Sequence, residues 1–365
     1  MPHITAFARN QWYVAAYGRE VGRELLGRTI LDEPIAFYRT EVHGTVTGGE
    51  VVALADRCVH RRFPLSAGRL DGDTVVCGYH GFTYDTSGTC VYVPGQKRVP
   101  RTARVSSYPV VEQDSLVWVW IGDPALADTG AIPRAPHLAD SENWTTVGGM
   151  EPIDCGYGLL VDNLLDLSHE TYLHGGYIGT PEVAETPMTT EVDEGAGIVR
   201  VSRHMDDAAC PPFYSRSTGI EGRITRWQDI EYHAPCLYLL HSRIAPRGVL
   251  PRPDGGDPDA FHVEITYAIT PSTDRHVYDF WSVSRDFGHG DEEMSAFLHD
   301  FNREVVRQDV DALNLLQKAL DTEPPGYQEL SINIDTGGLA ARRILARLAA
   351  QGARPAAATA PAGSR

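Results

Sequence analysis

From about Gln11 to Asp123 the chain runs in short apolar stretches: Trp12-Tyr13-Val14-Ala15-Ala16, Ile35-Ala36-Phe37-Tyr38, Val51-Val52-Ala53-Leu54, Thr74-Val75-Val76 and Leu116-Val117-Trp118-Val119-Trp120-Ile121. Gly, Asp and Pro break them at short intervals, which predicts an all-β unit. The Pro- and Asp-containing stretch from Asp123 to Asp140 reads as a linker. Beyond it the pattern predicts a helix near Leu159 to His174, strands across about Ile198 to Val283 and a long helix from about Glu292 to Leu320. On that last helix Met294, Phe297, Phe301, Val305, Ala312, Leu313, Leu316 and Leu320 recur at helical spacing as one apolar stripe. Ala349 to Arg365 is rich in Ala, Pro and Gly with no apolar period, which predicts a disordered tail. There is no internal repeat. The expected fold class is α+β, divided into an all-β unit over residues 1–135, a second domain over 136–350 and a tail over 351–365.

At 365 residues, 42% hydrophobic and 22% charged, the chain is long enough for two domains with real cores. The net charge of −17, with no offsetting basic cluster, argues against a nucleic-acid partner. Met1 to Trp12 lacks a basic stretch followed by an apolar core, and no run of about 18 apolar residues occurs, so neither export nor membrane insertion is expected. The expectation is a cytoplasmic protein. Six cysteines (Cys58, Cys77, Cys90, Cys155, Cys210, Cys236) are too scattered for a disulfide scaffold and read better as metal ligands plus buried thiols.

Two constellations carry chemistry. Cys58-Val59-His60 is followed, after sixteen residues, by Cys77-Gly78-Tyr79-His80, so each short loop offers one thiolate and one imidazole. A Rieske 2Fe-2S cluster needs that mixture, one iron taking two thiolates and the other two imidazoles. A structural zinc site is the alternative, but it usually places two cysteines in one knuckle and two histidines in a later helix. The second constellation is Asn163, Asp166, His169 and His174. The first three are three apart on one helical face, where a carboxylate can orient an imidazole one turn later. The five-residue step from His169 to His174 turns roughly 140°, so both reach one metal only if the helix ends or distorts before Gly175-Gly176. A zinc-protease motif needs its histidines four apart. A non-haem Fe(II) site asks for one carboxylate beside two histidines, and Asp309 falls inside the apolar stripe of the long helix while Asp300, Glu304, Asp311 and Asp321 fall off it. A buried aspartate can instead pair with an arginine; next to two histidines in ligand spacing, the metal reading is preferred.

Taken together, the C-x-H and C-x2-H pair, the Asn-x2-Asp-x2-His-x4-His run and the late Asp resemble the oxygenase components of Rieske aromatic oxygenases over about residues 8 to 350. Asn10 to Ala15, Val161 to Tyr172, Pro211-Pro212-Phe213 and Asn333 to Gly338 are similar to the vanillate O-demethylase oxygenase group. The resemblance implies a Rieske β domain joined to a helix-grip catalytic domain with an antiparallel sheet, assembled as a homotrimer. It implies Cys58, His60, Cys77 and His80 as cluster ligands, and His169, His174 and Asp309 as ligands of a mononuclear Fe(II). Asp166 would be the bridge for electrons between subunits, with Asn163 a further candidate. Tyr267 matches a position where a relative carries a substrate-contacting histidine, although an aromatic in an alternating strand is more often core. Respiratory Rieske proteins add two cysteines at the places of Phe63 and Tyr79, and a membrane helix; an electron-carrier reading is correspondingly weak. The chain has no G-x-G-x-x-G opening a βαβ unit, so it takes no hydride from NAD(P)H itself and a reductase must supply its electrons; the resemblance implies a flavin- and ferredoxin-type reductase that uses NAD(P)H. The implied reaction is O2-dependent O-demethylation of a methoxylated aromatic acid such as vanillate to protocatechuate and formaldehyde. Hydroxylation or dihydroxylation of another aromatic is the alternative.

Overall fold

The computed structural model describes residues 6–41, 49–324 and 326–353. The N-terminal strands are β1 Gln11–Tyr17, β2 Leu26–Ile30, β3 Glu33–Arg39, β4 Val51–Ala55, β5 Arg69–Asp71, β6 Thr74–Val76, β7 Thr83–Tyr84, β8 Cys90–Tyr92, β9 Val110–Gln113 and β10 Leu116–Ile121. They form three small antiparallel sheets, ordered β1-β10-β9, β2-β3-β4 and β5-β6-β7-β8. Two of the hairpins turn on two-residue loops with positive φ at both positions, Leu31-Asp32 and Asp114-Ser115, the geometry whose twist matches the flanking strands. The stretch from Asp123 to Asp140 holds three short 3-10 turns and no strand, and it buries Ile132, Ala135 and His137.

The second region comprises β11 Thr145–Ile153, α1 Tyr157–Leu165, α2 Glu170–Leu173, α3 Pro181–Glu185, β12 Thr189–Asp193, β13 Ile198–Ala209, α4 Pro212–Thr218, β14 Arg223–His233, β15 Leu237–Pro246, β16 Phe261–Thr273, β17 His276–Arg285, α5 Glu292–Leu320 and α6 Thr336–Gly352. Its strands make one antiparallel sheet in the order β11-β17-β16-β15-β14-β13-β12. Alternation along each strand gives the sheet two working faces. One face (Tyr232, Tyr238, Leu240, Ile265, Tyr267, Trp281) joins the core that includes α1, α5 and α6. The other (Cys236, Leu237, Leu239, Ala268, Phe280) packs against Trp12, Val14, Trp118 and Trp120 of the first sheet, so a single apolar layer couples the two regions. This is the expected α+β architecture, an all-β unit followed by an antiparallel sheet gripping a long helix.

Three expectations need correction. The helix expected near Leu159 to His174 is not continuous: α1 ends at Leu165, Asp166 is extended at φ −130° and ψ 98°, and the chain resumes as a 3-10 turn, Leu167–His169, before α2. Asn163, Asp166 and His169 therefore do not share a helical face. The tail does not begin at Ala349 or at residue 351: α6 runs through Gly352, Ala349 and Gly352 are buried, and a Cβ on Gly352 would stand 2.4 Å from the Arg9 carbonyl oxygen. Residues 354–365 lie outside the described residues. Finally, the buried line of α5 runs through Leu298, Asn302, Val305, Asp309, Leu313 and Gln317, whereas Leu316 is exposed. The buried face of α5 thus includes two amides, Asn302 and Gln317, which an apolar stripe does not mark. No helix among the described residues is long and apolar enough to cross a membrane.

Candidate metal centres and active site

The first constellation sits on two loops built alike. Cys58 N–H donates to the Phe63 carbonyl (2.9 Å) and Arg62 N–H returns to the Cys58 carbonyl (2.8 Å); Cys77 N–H donates to Phe82 (2.8 Å) and Gly81 N–H returns to Cys77 (3.0 Å). Arg62 and Gly81 both take the positive φ these turns require. The result buries Cys58 and Cys77 and leaves His60 and His80 exposed at the tip, their ring centroids 4.5 Å apart. Thiols inside and imidazoles outside suit a two-iron cluster whose histidine-ligated iron faces outward. Burial raises the Cys77 thiol, while the N–H groups of Tyr79 and His80 directed at the sulfur pull it back. Partial desolvation, then His80 and Arg61, push His60 below its usual range, toward the neutral form a ligand needs. The Tyr84 hydroxyl lies 3.1 Å from Cys58 Sγ, and Phe82 stacks on His60 at 5.0 Å. A hydrogen bond to a ligating sulfur is one of the levers that set a cluster's potential.

In the second constellation the break at Asp166 does the work. It turns the short α2 segment so that His169 and His174 converge on Asp309, with His169 Nε2 3.5 Å and His174 Nε2 3.3 Å from Asp309 Oδ1. All three ligand atoms lie within 4.8 Å of one another. Metal–ligand bonds of about 2.1 Å at right angles put ligand atoms about 3 Å apart, so the donor set fits one first-row metal with positions left open. His169 Nδ1 meets the Asp166 carbonyl oxygen at 2.6 Å and His174 Nδ1 meets Gln308 Oε1 at 2.8 Å. Each acceptor favours the tautomer that leaves Nε2 free for a metal. Burial lowers the His174 pKa, yet Asp309 and Gln308 outweigh it and leave it raised, so the site stabilises positive charge. The sequence expected the Asp166 carboxylate to hold His169; instead its backbone carbonyl does so, and the carboxylate accepts the Ser168 N–H at 2.8 Å. Asn163 Nδ2 donates to Asp309 Oδ1 at 3.1 Å, which makes it a neighbour of the triad.

Below α2 lies a pair the sequence reading missed. Glu170 and Arg226 are both buried, with Arg226 Nη2 2.9 Å from Glu170 Oε2, Gln228 Nε2 3.0 Å from Glu170 Oε1, and Arg226 Nη1 2.9 Å from the Ile178 carbonyl. One guanidinium thus ties the chain on both sides of His174 to β14. Gly179 permits this closeness, since a Cβ there would stand 1.7 Å from the Glu170 carbonyl oxygen. A signal was available: in Ile224-Thr225-Arg226-Trp227-Gln228-Asp229-Ile230, period two puts Arg226 and Gln228 on the same face as two isoleucines. The triad borders a cavity of about 30 Å³ walled by Leu164, Phe213, Leu240, Ile265 and Val305, with Tyr238, Tyr267, Asn302 and Arg226 also contributing. On the outer side, Asp166, Asn163 and His169 line a surface cavity of about 300 Å³ beside Leu316, Leu330 and Arg342. The structure therefore brings Tyr267 to the triad's cavity and Asp166 to its outer surface.

Comparisons with known proteins agree with this arrangement. The Rieske [2Fe-2S] domain family matches residues 11–109, and the vanillate O-demethylase oxygenase C-terminal domain family matches residues 153–351. The chain is 35% identical to the vanillate O-demethylase oxygenase subunit of Pseudomonas sp. (strain HR199 / DSM 7063), over 94% of this chain and 95% of that one. It is also 35% identical to the dicamba O-demethylase oxygenase component of Stenotrophomonas maltophilia, over 94% and 98%. A crystal structure of dicamba monooxygenase with non-heme iron and dicamba superposes with a TM-score of 0.80 at 32% identity, covering 95% of this chain and 98% of that one. An electron carrier would have no use for the second domain. With both domains matched in order and nearly end to end, the chain belongs to the family of Rieske non-haem iron monooxygenases that includes the vanillate and dicamba O-demethylase oxygenase components.

Proposed function

We propose that this oxygenase component removes the methyl group of a methoxylated aromatic acid such as vanillate. Residues 1–135 carry the 2Fe-2S cluster on Cys58, His60, Cys77 and His80; residues 136–350 carry the iron on His169, His174 and Asp309. It works in the cytoplasm as a ring of three, fed by a reductase of the flavin and ferredoxin type. The observation that carries the reading is the cavity, in which a two-histidine, one-carboxylate triad faces aliphatic and aromatic walls. Equal identity to the vanillate and dicamba enzymes leaves the choice of substrate to the walls of this cavity.

When bound, the cluster supplies electrons and the iron supplies the means of activating O2. The chain's own residues orient and enclose. The Asp166 carbonyl and Gln308 hold the two imidazoles, Asn163 steadies Asp309, and the apolar walls exclude water from the reacting methyl group. The free space corresponds to about two water volumes, so a ring enters only as wall side chains move outward. Converting a methoxyl C–H to C–OH takes one O2, two electrons and two protons and releases one water; the hemiacetal then collapses to a phenol and formaldehyde.

Exposed apolar residues at two places support the ring. Val59 and Tyr79 stand exposed in the two cluster loops, and the exposed Leu316 and Leu330 line the outer cavity at Asp166. Apolar groups gathered at two separate functional surfaces are what a tip-to-cavity contact between neighbours would bury. Asp166, on that surface, would then lie between one subunit's cluster and the next subunit's iron.

The test is product analysis by mass spectrometry with a surrogate reductase across methoxybenzoates. Vanillate should give protocatechuate and formaldehyde in equal amounts with one O2 consumed per methyl removed. Turnover of another aromatic without turnover of vanillate would keep the enzyme class and discard the substrate.

A further inference from the structure

Around the triad's cavity the polar groups are unevenly satisfied. Glu170 and Arg226 compensate each other, and the Arg226 guanidinium also lies 4.9 Å from the Tyr214 ring centroid, although its Nε has no hydrogen-bond partner. Tyr214 Oη is taken by Ser242 at 3.0 Å. Two fully buried neutral donors of the wall remain among the described residues. The Tyr238 hydroxyl, on a side chain 0% exposed, and the Asn302 side-chain Nδ2, on a residue 3% exposed, have no partner among the described residues. Both residues line the cavity. Leaving such groups unpaired and out of water is costly, so a buried donor without an acceptor marks a place where a ligand can supply one.

Their placement is informative. Asn302 precedes Asp309 by seven residues on α5, which is two helical turns: about 10.5 Å along the axis and about 20° around it. Asn302 thus faces the same cavity from the end remote from the triad. Tyr238 lines the same cavity from β15, its ring held edge-on by Tyr267 at 5.6 Å and 61°. A single ring with its methoxyl carbon at the triad would reach toward these donors with a substituent on its far side. Tyr267 is then a wall that fixes Tyr238.

Resting on the demethylase reading, we propose that Asn302 Nδ2 and Tyr238 Oη are the specificity-determining donors of this site. They bind an acceptor oxygen on the far side of a methoxyarene ring and so aim its methyl group at the triad. The substrate class is a one-ring methoxyarene carrying such an acceptor, read by neutral hydrogen bonds because the Arg226 guanidinium in the wall is already paired with the Glu170 carboxylate.

Binding can be measured apart from turnover, by anaerobic calorimetry on the holoenzyme with 3-methoxybenzoate, 3-methoxybenzamide and methoxybenzene. The acid and the amide should bind within about tenfold of each other, and methoxybenzene, lacking the acceptor, about 100-fold more weakly. Asn302→Leu and Tyr238→Phe should each weaken the acid and the amide about tenfold and leave methoxybenzene unchanged; Tyr238→Phe keeps the ring and its packing. A loss of more than 100-fold on going from acid to amide, equal binding of all three probes, binding of none, or variants that weaken methoxybenzene as much as the acid would each overturn the proposal. Binding that follows the expected pattern without any demethylation would overturn the reaction assigned above and leave this recognition standing.

Discussion

A carboxylate buried to 6% exposure next to two imidazoles is stable only if something positive joins it. Asp309 shows how a single residue could be selected from the sequence: it is an acidic side chain at an apolar phase of a helix, while Asp311, two residues on, is exposed and paired with Arg307 at 2.8 Å. Asp309→Ala should lose the mononuclear iron, since two remaining ligands hold Fe(II) poorly, and should leave the cluster spectrum intact. Asp311→Ala should retain both. Metal analysis together with the electron paramagnetic resonance signal of the reduced cluster checks this, and equal iron loss in the two variants would show that the helical phase picked the wrong aspartate. At this scale Cys58, His60, Cys77, His80, His169 and His174 could be proposed from short spacings, and Asp309 from its phase on α5. Gln308, Tyr84 and the true contact of Asp166 were not. Each depends on where a backbone carbonyl or a distant strand arrives, which residue type does not record.

The element that decides the site is the interrupted segment from α1 to α2. An unbroken helix would leave the two histidines about 140° apart; the extended residue Asp166 and the turn after it bring them together. The need for a distortion was readable in the five-residue spacing, but its position was not, because the anchor lies on another element. Arg226 of β14 holds Glu170 on one side of His174 and the Ile178 carbonyl on the other. Arg226→Met would leave Glu170 buried and unpaired, a loss of about 3–5 kcal/mol. We expect a lower melting temperature and reduced iron occupancy. The double variant Arg226→Met, Glu170→Met should regain most of the stability, since a buried ion pair can be replaced by apolar groups at little net cost, but not the iron, because the Ile178 tie is still missing. Calorimetric melting and iron per chain distinguish these outcomes; full iron in the single variant would show that the pair merely packs.

For the whole molecule, the proposed ring places the cluster tip of one subunit at the outer cavity of the next. The Asp166 carboxylate accepts the Ser168 N–H and does not hold His169, and the residue lines that cavity. Asp166→Asn should therefore keep a reducible cluster and nearly full iron while turnover falls severely. A cluster-dead subunit (Cys58→Ser) mixed with an iron-dead one (His169→Ala) should regain activity on co-assembly. Verified mixed oligomers with no recovery, alongside near-normal Asp166→Asn, would refute transfer between neighbours through this residue. The sequence by itself determined what local rules can encode: strands from period two, the long helix from its apolar phase, and candidate metal donors from short spacings and from the phase of one aspartate on that helix. Only the tertiary structure decided which groups meet across the chain. The coupling of the two regions through one apolar layer, the guanidinium that pins the histidine segment, and the two unpaired donors in the wall of the triad's cavity all join residues tens to hundreds of positions apart. Such contacts depend on how the sheet closes over α5, and no local pattern carries that information.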